Sequence, residues 1–327
     1  MAKEYNNATG VPLSVAVYLA VDTYDHVPNT ISTTSLLKPV RQHVLVPRVP
    51  AELKIADVTS LVKSRIGTSI HDGLEKAWTG DHYKKAMVKL GYPEAVINRI
   101  KVNPDPAKLE PEDIPVYMEQ RMFRDFQGFK ISGKFDFIAE GRLEDFKSTS
   151  TYTWTQDTKT EDYQLQGSIY RWLDQGVRIT EDHMAIQFFF TDWAAGLAKQ
   201  NQAYPQRQVE QKLIPLLSLD DTEAFVAGKL NAIRMHQNTP EMELPLCNDK
   251  ELWRKDPVFK YYKDPAKRTR STKNFTNMAE AYQRLVDDGN KGIVVEVPGE
   301  VVACKYCAAF PICGQKDDLI ADGSLIL

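Results

Sequence analysis

The spacing of apolar positions divides the chain into helical and extended stretches. Over residues 57–90, Leu61, Val62, Ile66, Ile70, Leu74 and Ala77 recur near helical intervals, which predicts a helix. Residues 1–50 read as a strand-and-loop lead-in, in which Ser32-Thr33-Thr34-Ser35 starts a helix before Leu36-Leu37. The stretch 102–115 is rich in proline and acidic residues and reads as a loop. Two strands are expected next, over 130–139 and 142–148, with Glu140-Gly141 suited to the tight turn between them. A helix over 161–175 and a buried strand over 184–191 follow, the latter holding Ile186-Gln187-Phe188-Phe189-Phe190. Residues 220–236 read as a helix capped by Asp220 or Asp221, and 278–287 as another. This alternation of strands and helices predicts an α/β fold, a central mixed β-sheet flanked by helices. Residues 1–239 would form the core, and 240–327 a C-terminal extension packed on it.

Composition adds limits. The 327 residues allow one large domain or two modest ones, and 43% hydrophobic with 26% charged residues is ordinary for a globular chain that buries a core. A net charge of −3 gives no global sign of a nucleic-acid partner, so any DNA contact must come from a local basic surface. No apolar run approaches the ~20 residues of a membrane span, and the first residues lack a signal-peptide layout. The chain therefore reads as cytoplasmic and not membrane-bound.

The candidate chemistry lies in the hairpin. Gly133-Lys134-Phe135-Asp136 is followed, nine residues after Asp136, by Asp145-Phe146-Lys147. Side chains alternate along a strand, so Asp145 and Lys147 project from one side and Phe146 from the other. A hairpin can set Asp136 beside Asp145, and two such carboxylates suit a hard cation such as Mg²⁺ or Mn²⁺. The lysine can orient or deprotonate water, or stabilise charge on a phosphate. An ordinary surface hairpin with an Asp–Lys pair is the bland alternative.

Flanking residues narrow the choice. His71 lies upstream in Gly67-Thr68-Ser69-Ile70-His71-Asp72-Gly73, and Gln166-Gly167-Ser168-Ile169-Tyr170 lies downstream. A helical histidine, a G-x-x-D strand, a (D/E)-x-K strand and a Q-x-x-x-Y helix, in this order, resemble the RecB-like branch of the PD-(D/E)xK nucleases. The resemblance implies a restriction-endonuclease-like fold and metal-dependent hydrolysis of DNA phosphodiesters. It implies that His71, Asp136, Asp145 and the Phe146 carbonyl meet the metal and that Lys147 is the catalytic lysine. Gln166 and Tyr170, four apart on one helix face, would brace the lysine or touch DNA. Glu119 stands where relatives carry a helix carboxylate that completes the metal shell; Met122 and Phe123 beside it also suit a plain amphipathic helix. Tyr170 and His71 each have a purely structural alternative.

Cys304-Lys-Tyr-Cys307 and Cys313 form C-x2-C-x5-C, and Cys247 is the fourth cysteine. Four thiols make a Cys₄ set for tetrahedral zinc or a [4Fe–4S] cluster. AddB-type and CRISPR adaptation nucleases end in a similar pattern, and this resemblance favours iron–sulfur. Their first cysteine precedes the nuclease core, whereas Cys247 follows it here.

Finally, Lys255, Lys260, Lys263, Lys267, Arg268, Arg270 and Lys273 are interleaved with Phe259, Tyr261 and Tyr262. Cations would track phosphates and aromatics could stack on unpaired bases; a solvated loop is the alternative. The expected function is a DNA exonuclease serving recombination, repair or replication in a phage or bacterium. Without a phosphate-binding GxxxxGK[ST] motif, unwinding would fall to a helicase, with a recombinase or single-strand-binding protein as other partners. An inactive DNA-binding or assembly factor and a structure-specific endonuclease are the competing functions.

Overall fold

The computed structural model describes residues 5–21 and 27–327. It is mixed α/β, with several sheets. The chain divides into two compact units, one of residues 1–37 and 55–231, the other of 38–54 and 232–327. The short segment 38–54 thus belongs with the C-terminal residues, a partition that no local pattern announces.

In the first unit, β1 (Tyr5–Asn6) pairs in parallel with β3 (Ala56–Asp57), and β2 (Thr30–Ser32) pairs with β7 (Phe129–Lys134), itself the hairpin partner of β6 (Arg121–Phe126). The main sheet has six strands. Its neighbours run in the order β11 (Val209–Pro215), β10 (His183–Phe190), β9 (Arg142–Thr149), β8 (Phe137–Ala139), β5 (Ile114–Met118) and β4 (Ile100–Val102). β9 and β10 are parallel, while β8–β9 and β10–β11 are antiparallel. A parallel pair requires a crossover, which α7 (Thr151–Gln156) and α8 (Thr160–Asp174) provide. The main core lies under α8. Ile169, Trp172 and Leu173 of the helix meet Leu143, Met184, Ile186 and Phe188 of the sheet, all nearly inaccessible. Each such side chain contributes roughly 1.5–3 kcal/mol when fully buried. The other face carries Val116, Met118, Phe137 and partly buried Phe146 against Trp78 and Tyr83. Two helices follow one another on that side, α4 (Val62–Trp78) and α5 (His82–Lys89).

Several sequence expectations are refined. The helix expected over 57–90 breaks where Thr79 turns extended and Gly80 takes φ +71°. The strand expected over 130–139 is two strands, because the chain leaves the ladder at Phe135 and Asp136. The Glu140-Gly141 turn has φ of +50° and +79°, which a two-residue hairpin of the primed kind requires. Ser218, not Asp220 or Asp221, opens the helix Leu219–His236: its Oγ accepts from the Asp221 amide at 3.0 Å.

The second unit holds a three-stranded sheet, β12 (Val258–Tyr262) between β13 (Lys273–Phe275) and β14 (Ile293–Val297), with α11 (Met278–Asp287) packed on it. Phe259 and Tyr261 pack with Phe275, Ala281 and Leu285. The helix over 278–287 lies where its apolar spacing placed it, with Asn277 as its cap. Among the described residues no helix is long and apolar enough to cross a membrane.

Candidate active site

The β8–β9 register pairs Phe137 with Glu144, so Asp136, one residue earlier, falls across from Asp145. Asp136 Oδ2 accepts the Phe146 amide at 2.8 Å, which fixes its carboxylate against the neighbouring strand. Asp145 is 1% exposed. Its Oδ1 accepts from Gln166 Nε2 at 3.2 Å, and its Oδ2 lies 2.5 Å from Lys147 Nζ with no hydrogen-bond donor beyond that ion pair. Alternation puts Leu143, Asp145 and Lys147 on the α8 side, and Phe146 on the side of α4.

His71 of α4 reaches this point from the other face. Its Nε2 is 3.1 Å from the Phe146 carbonyl, and its Nδ1 is 3.5 Å from Asp136 Oδ1 and 3.7 Å from Glu119 Oε1. Atoms of His71, Glu119 and Asp136 all lie within 4.8 Å of one another. Gly133, the glycine of the G-x-x-D strand, is needed for close approach: a Cβ there would sit 2.8 Å from Tyr170 and Leu173 of α8.

Glu119 is not on a helix. It occupies the turn between β5 and β6 at φ +52°, where its amide donates to the Asp136 carbonyl at 3.1 Å. Met122 is buried and Phe123 exposed because they alternate along a strand, which explains why they imitate an amphipathic helix over a short window. Gln166 reaches Asp145 rather than Lys147, and Tyr170 Oη takes a second Gln166 hydrogen bond at 3.2 Å from within the core.

Two neighbours escaped the sequence reading. Lys134 Nζ is 2.6 Å from Glu119 Oε2, and the Tyr163 ring lies beneath Lys147 Nζ at 5.7 Å. Tyr163 stands three residues before Gln166 on α8, a helical spacing that would have flagged it.

The electrostatics follow from burial. Desolvation, then the nearby Asp145 charge, pushes the Asp136 carboxyl up to about 7. Burial works against charge on Lys147, but Asp145 and Asp136 outweigh it and hold the ammonium above its ordinary pKa. His71 is likewise raised, with Glu119 and the two aspartates overcoming its desolvation. Burial opposes ionisation of Glu119, yet His71 and Lys134 hold its pKa below the usual range. Packing carboxylates together this way costs free energy unless positive charge joins them. The Asp136 carboxyl, raised by burial and the Asp145 charge, with the His71 imidazole and Glu119 carboxylate beside it and the Phe146 carbonyl alongside, fits a hard divalent cation, while Asp145 Oδ2 is held by Lys147.

The four cysteines lie in the second unit as free, half-buried thiols. Cys247 and Cys304 pack beside Leu252, Val301 and Leu319; Cys307 and Cys313 pack beside Val44, Leu45 and Leu244. Each thiol is within electrostatic reach of at least two others. Buried Arg41, from the segment 38–54, donates Nε–H to Cys313 Sγ at 3.3 Å, and Gln315 brackets the Cys247 backbone with two 2.9 Å hydrogen bonds. Burial pushes the Cys247 thiol up to about 12 and raises Cys304 and Cys307. Four thiols in one region suit a soft metal, whose charge would favour the thiolates, although among the described residues no three of their sulfurs lie within 4.8 Å of one another.

In the basic stretch, Lys263, Lys267, Arg268, Arg270 and Lys273 are exposed and Lys260 is half-buried. The aromatics between them are not available for stacking: Phe259 and Tyr261 are buried on the face of β12 that packs with Ala281, and Tyr262 is buried on the opposite face.

No family model matches the chain, and no curated protein matches it either. Among solved structures, a crystal structure of SSO0001 is similar at 16% identity and a TM-score of 0.38, covering 68% of this chain and 84% of that one. A phage related exonuclease from Haemophilus somnus 129PT is similar at 16% identity and a TM-score of 0.29, covering 64% of this chain and 93% of that one. At such distances, function has to come from the side chains.

Proposed function

We propose that this chain is a metal-dependent DNA nuclease of the PD-(D/E)xK class, with a restriction-endonuclease-like core, acting on DNA ends. The observation that carries this reading is the strand register that sets Asp136 across from Asp145, with Lys147 Nζ 2.5 Å from the Asp145 carboxylate. Asp136, Asp145, His71, Glu119 and the Phe146 carbonyl are the groups available to hold Mg²⁺ or Mn²⁺. Such a cation supplies Lewis acidity to the scissile phosphate and makes a bound water more acidic.

The protein's own groups do the rest. Lys147, kept as an ammonium by the two aspartates, is suited to stabilising charge on the phosphate rather than to abstracting a proton. Gln166 fixes the Asp145 carboxylate, and Tyr170 fixes Gln166. Lys134 neutralises the far oxygen of Glu119.

The test is hydrolysis of end-labelled linear and closed-circular DNA with Mg²⁺ or Mn²⁺, wild type against Lys147→Ala. Linear DNA should be degraded by the wild type alone. Cutting of circles would indicate an endonuclease, and DNA binding without hydrolysis would indicate an assembly factor.

We further propose a [4Fe–4S] cluster at Cys247, Cys304, Cys307 and Cys313, with a structural role. Four free, half-buried cysteines within one unit of the chain support it. Anaerobically purified protein should be brown with a visible charge-transfer band; a colourless protein holding stoichiometric zinc would overturn the iron assignment.

A further inference from the structure

Two aromatic rings of the second unit are open to solvent. Trp253 is 47% exposed and Tyr306 68%, with centroids 6.3 Å apart and planes inclined at 40°. Trp253 also holds φ +48°, a left-handed conformation that bulky residues rarely adopt. The turn maintaining it is well tied: the Trp253 amide donates to Lys250 O at 3.1 Å, the Arg254 amide to Asp249 O at 2.9 Å, and Arg254 Nε to Asp249 Oδ1 at 2.7 Å. Leu252 beside it goes into the core while the indole stays outside. Strain kept in a well-determined turn, with a large ring presented to water, points to a binding role. Tyr306 is presented by the 3₁₀ turn Ala303–Tyr306.

The pair lies beyond one end of β12, and a cation-rich loop lies beyond the other. The β12–β14 ladder, where Val258 faces Val297, continues in the same register as the Lys255 amide donates to Glu300 O at 3.0 Å. At the far end of β12, residues 263–273 carry Lys263, Lys267, Arg268, Arg270 and Lys273 against the single acid Asp264. Between the ends, Lys260 alternates away from the face formed by Phe259 and Tyr261. Exposed rings at one end of a strand and a cation-rich loop at the other, with Lys260 between them, fit a single nucleic-acid strand, whose bases have free faces and whose phosphates need counter-charge. The stacked interior of a duplex offers no such faces.

We propose that Trp253 and Tyr306 form a stacking platform for unpaired bases of single-stranded DNA, with the phosphates following β12 toward the 263–273 loop. The choice of DNA as partner rests on the nuclease reading.

The test uses the full chain in EDTA, so that no cleavage occurs, and a labelled oligothymidylate of about fifteen nucleotides. Trp253→Ala and Tyr306→Ala should each weaken binding roughly tenfold, and Trp253→Phe should restore most of it. Oligonucleotide should quench more indole fluorescence in the wild type than in Trp253→Phe. Lys267→Glu with Arg268→Glu should flatten the salt dependence. The proposal is overturned if both alanine variants bind as the wild type does, or if blunt duplex or oligouridylate binding is weakened as strongly. Should Trp253→Ala fail to fold, Tyr306→Ala and the quenching difference decide. Intact Lys147-dependent hydrolysis with unchanged binding would sink the platform alone and leave the nuclease reading standing.

Discussion

The carboxylate hairpin and the cysteine region are built by different means. In the hairpin, a ladder converts spacing into geometry: it ends with Phe137 facing Glu144, the next residue Asp136 docks its carboxylate on the Phe146 amide, and Lys147 shares the side of Asp145. In the cysteine region, two 3₁₀ turns, a short helix and a segment some two hundred positions upstream bring the thiols and Arg41 together. Nothing local dictates that arrangement. A site fixed by register should tolerate loss of one supporting group with its shape intact, whereas a site fixed by convergent loops should lose its shape with its ligand.

The sharpest way to break this contrast is Lys147→Ala. It should lower the hydrolysis rate on the order of a thousandfold, and with Mg²⁺ present to supply the positive charge that the carboxylates lose, the melting temperature should stay nearly unchanged, as read by single-turnover kinetics and calorimetry. Cys313→Ala should do the reverse. It removes a ligand of the proposed cluster and one partner of buried Arg41, so thermal unfolding should drop by about ten degrees or more. The single-turnover rate of protein that remains folded should stay within about twofold of wild type if the two sites are independent. A Lys147→Ala variant that unfolds, or a Cys313→Ala variant as stable as wild type, would erase the distinction.

The same contrast explains what could be read from the sequence. The Glu140-Gly141 turn, the helix bearing Gln166 and Tyr170, and the helix over 278–287 were legible because their signals are local. Glu119 was placed on a helix because Met122 and Phe123, seen over a few residues, do not distinguish the two periods. Phe259, Tyr261 and Tyr262 looked available for stacking, but their burial depends on α11 and β14, which pack from elsewhere in the chain. The union of 38–54 with the C-terminal residues is likewise purely tertiary.

A smaller effect sharpens the hairpin side. Gln166→Leu removes the donor to Asp145 Oδ1, and a hydrogen bond to a charged group is worth ~1.5–3 kcal/mol. Hydrolysis should fall roughly tenfold to a hundredfold, with excess Mn²⁺ recovering part of it.

The smallest effect is on metal-free stability. Because Asp136 is raised from 3.8 to about 7 in the folded chain, the fold holds a proton between those values that the unfolded chain has released. Stability conferred by that proton is present at low pH and lost as pH rises through this window. Asp136→Asn should therefore raise the melting temperature of metal-free protein by a few degrees near pH ~8, with little change near pH ~3, although it abolishes cleavage. For the wild type, apparent metal affinity should weaken as pH falls below about 7, since a proton then competes for Asp136.

The most direct measurement is anomalous diffraction from crystals grown with Mn²⁺. A peak bonded to both Asp136 and Asp145, with the Phe146 carbonyl in its shell and Lys147 turned from Asp145 toward the phosphate position, is the predicted result. Manganese bound elsewhere, with the Asp136–Asp145 gap unoccupied at saturating metal, would contradict it.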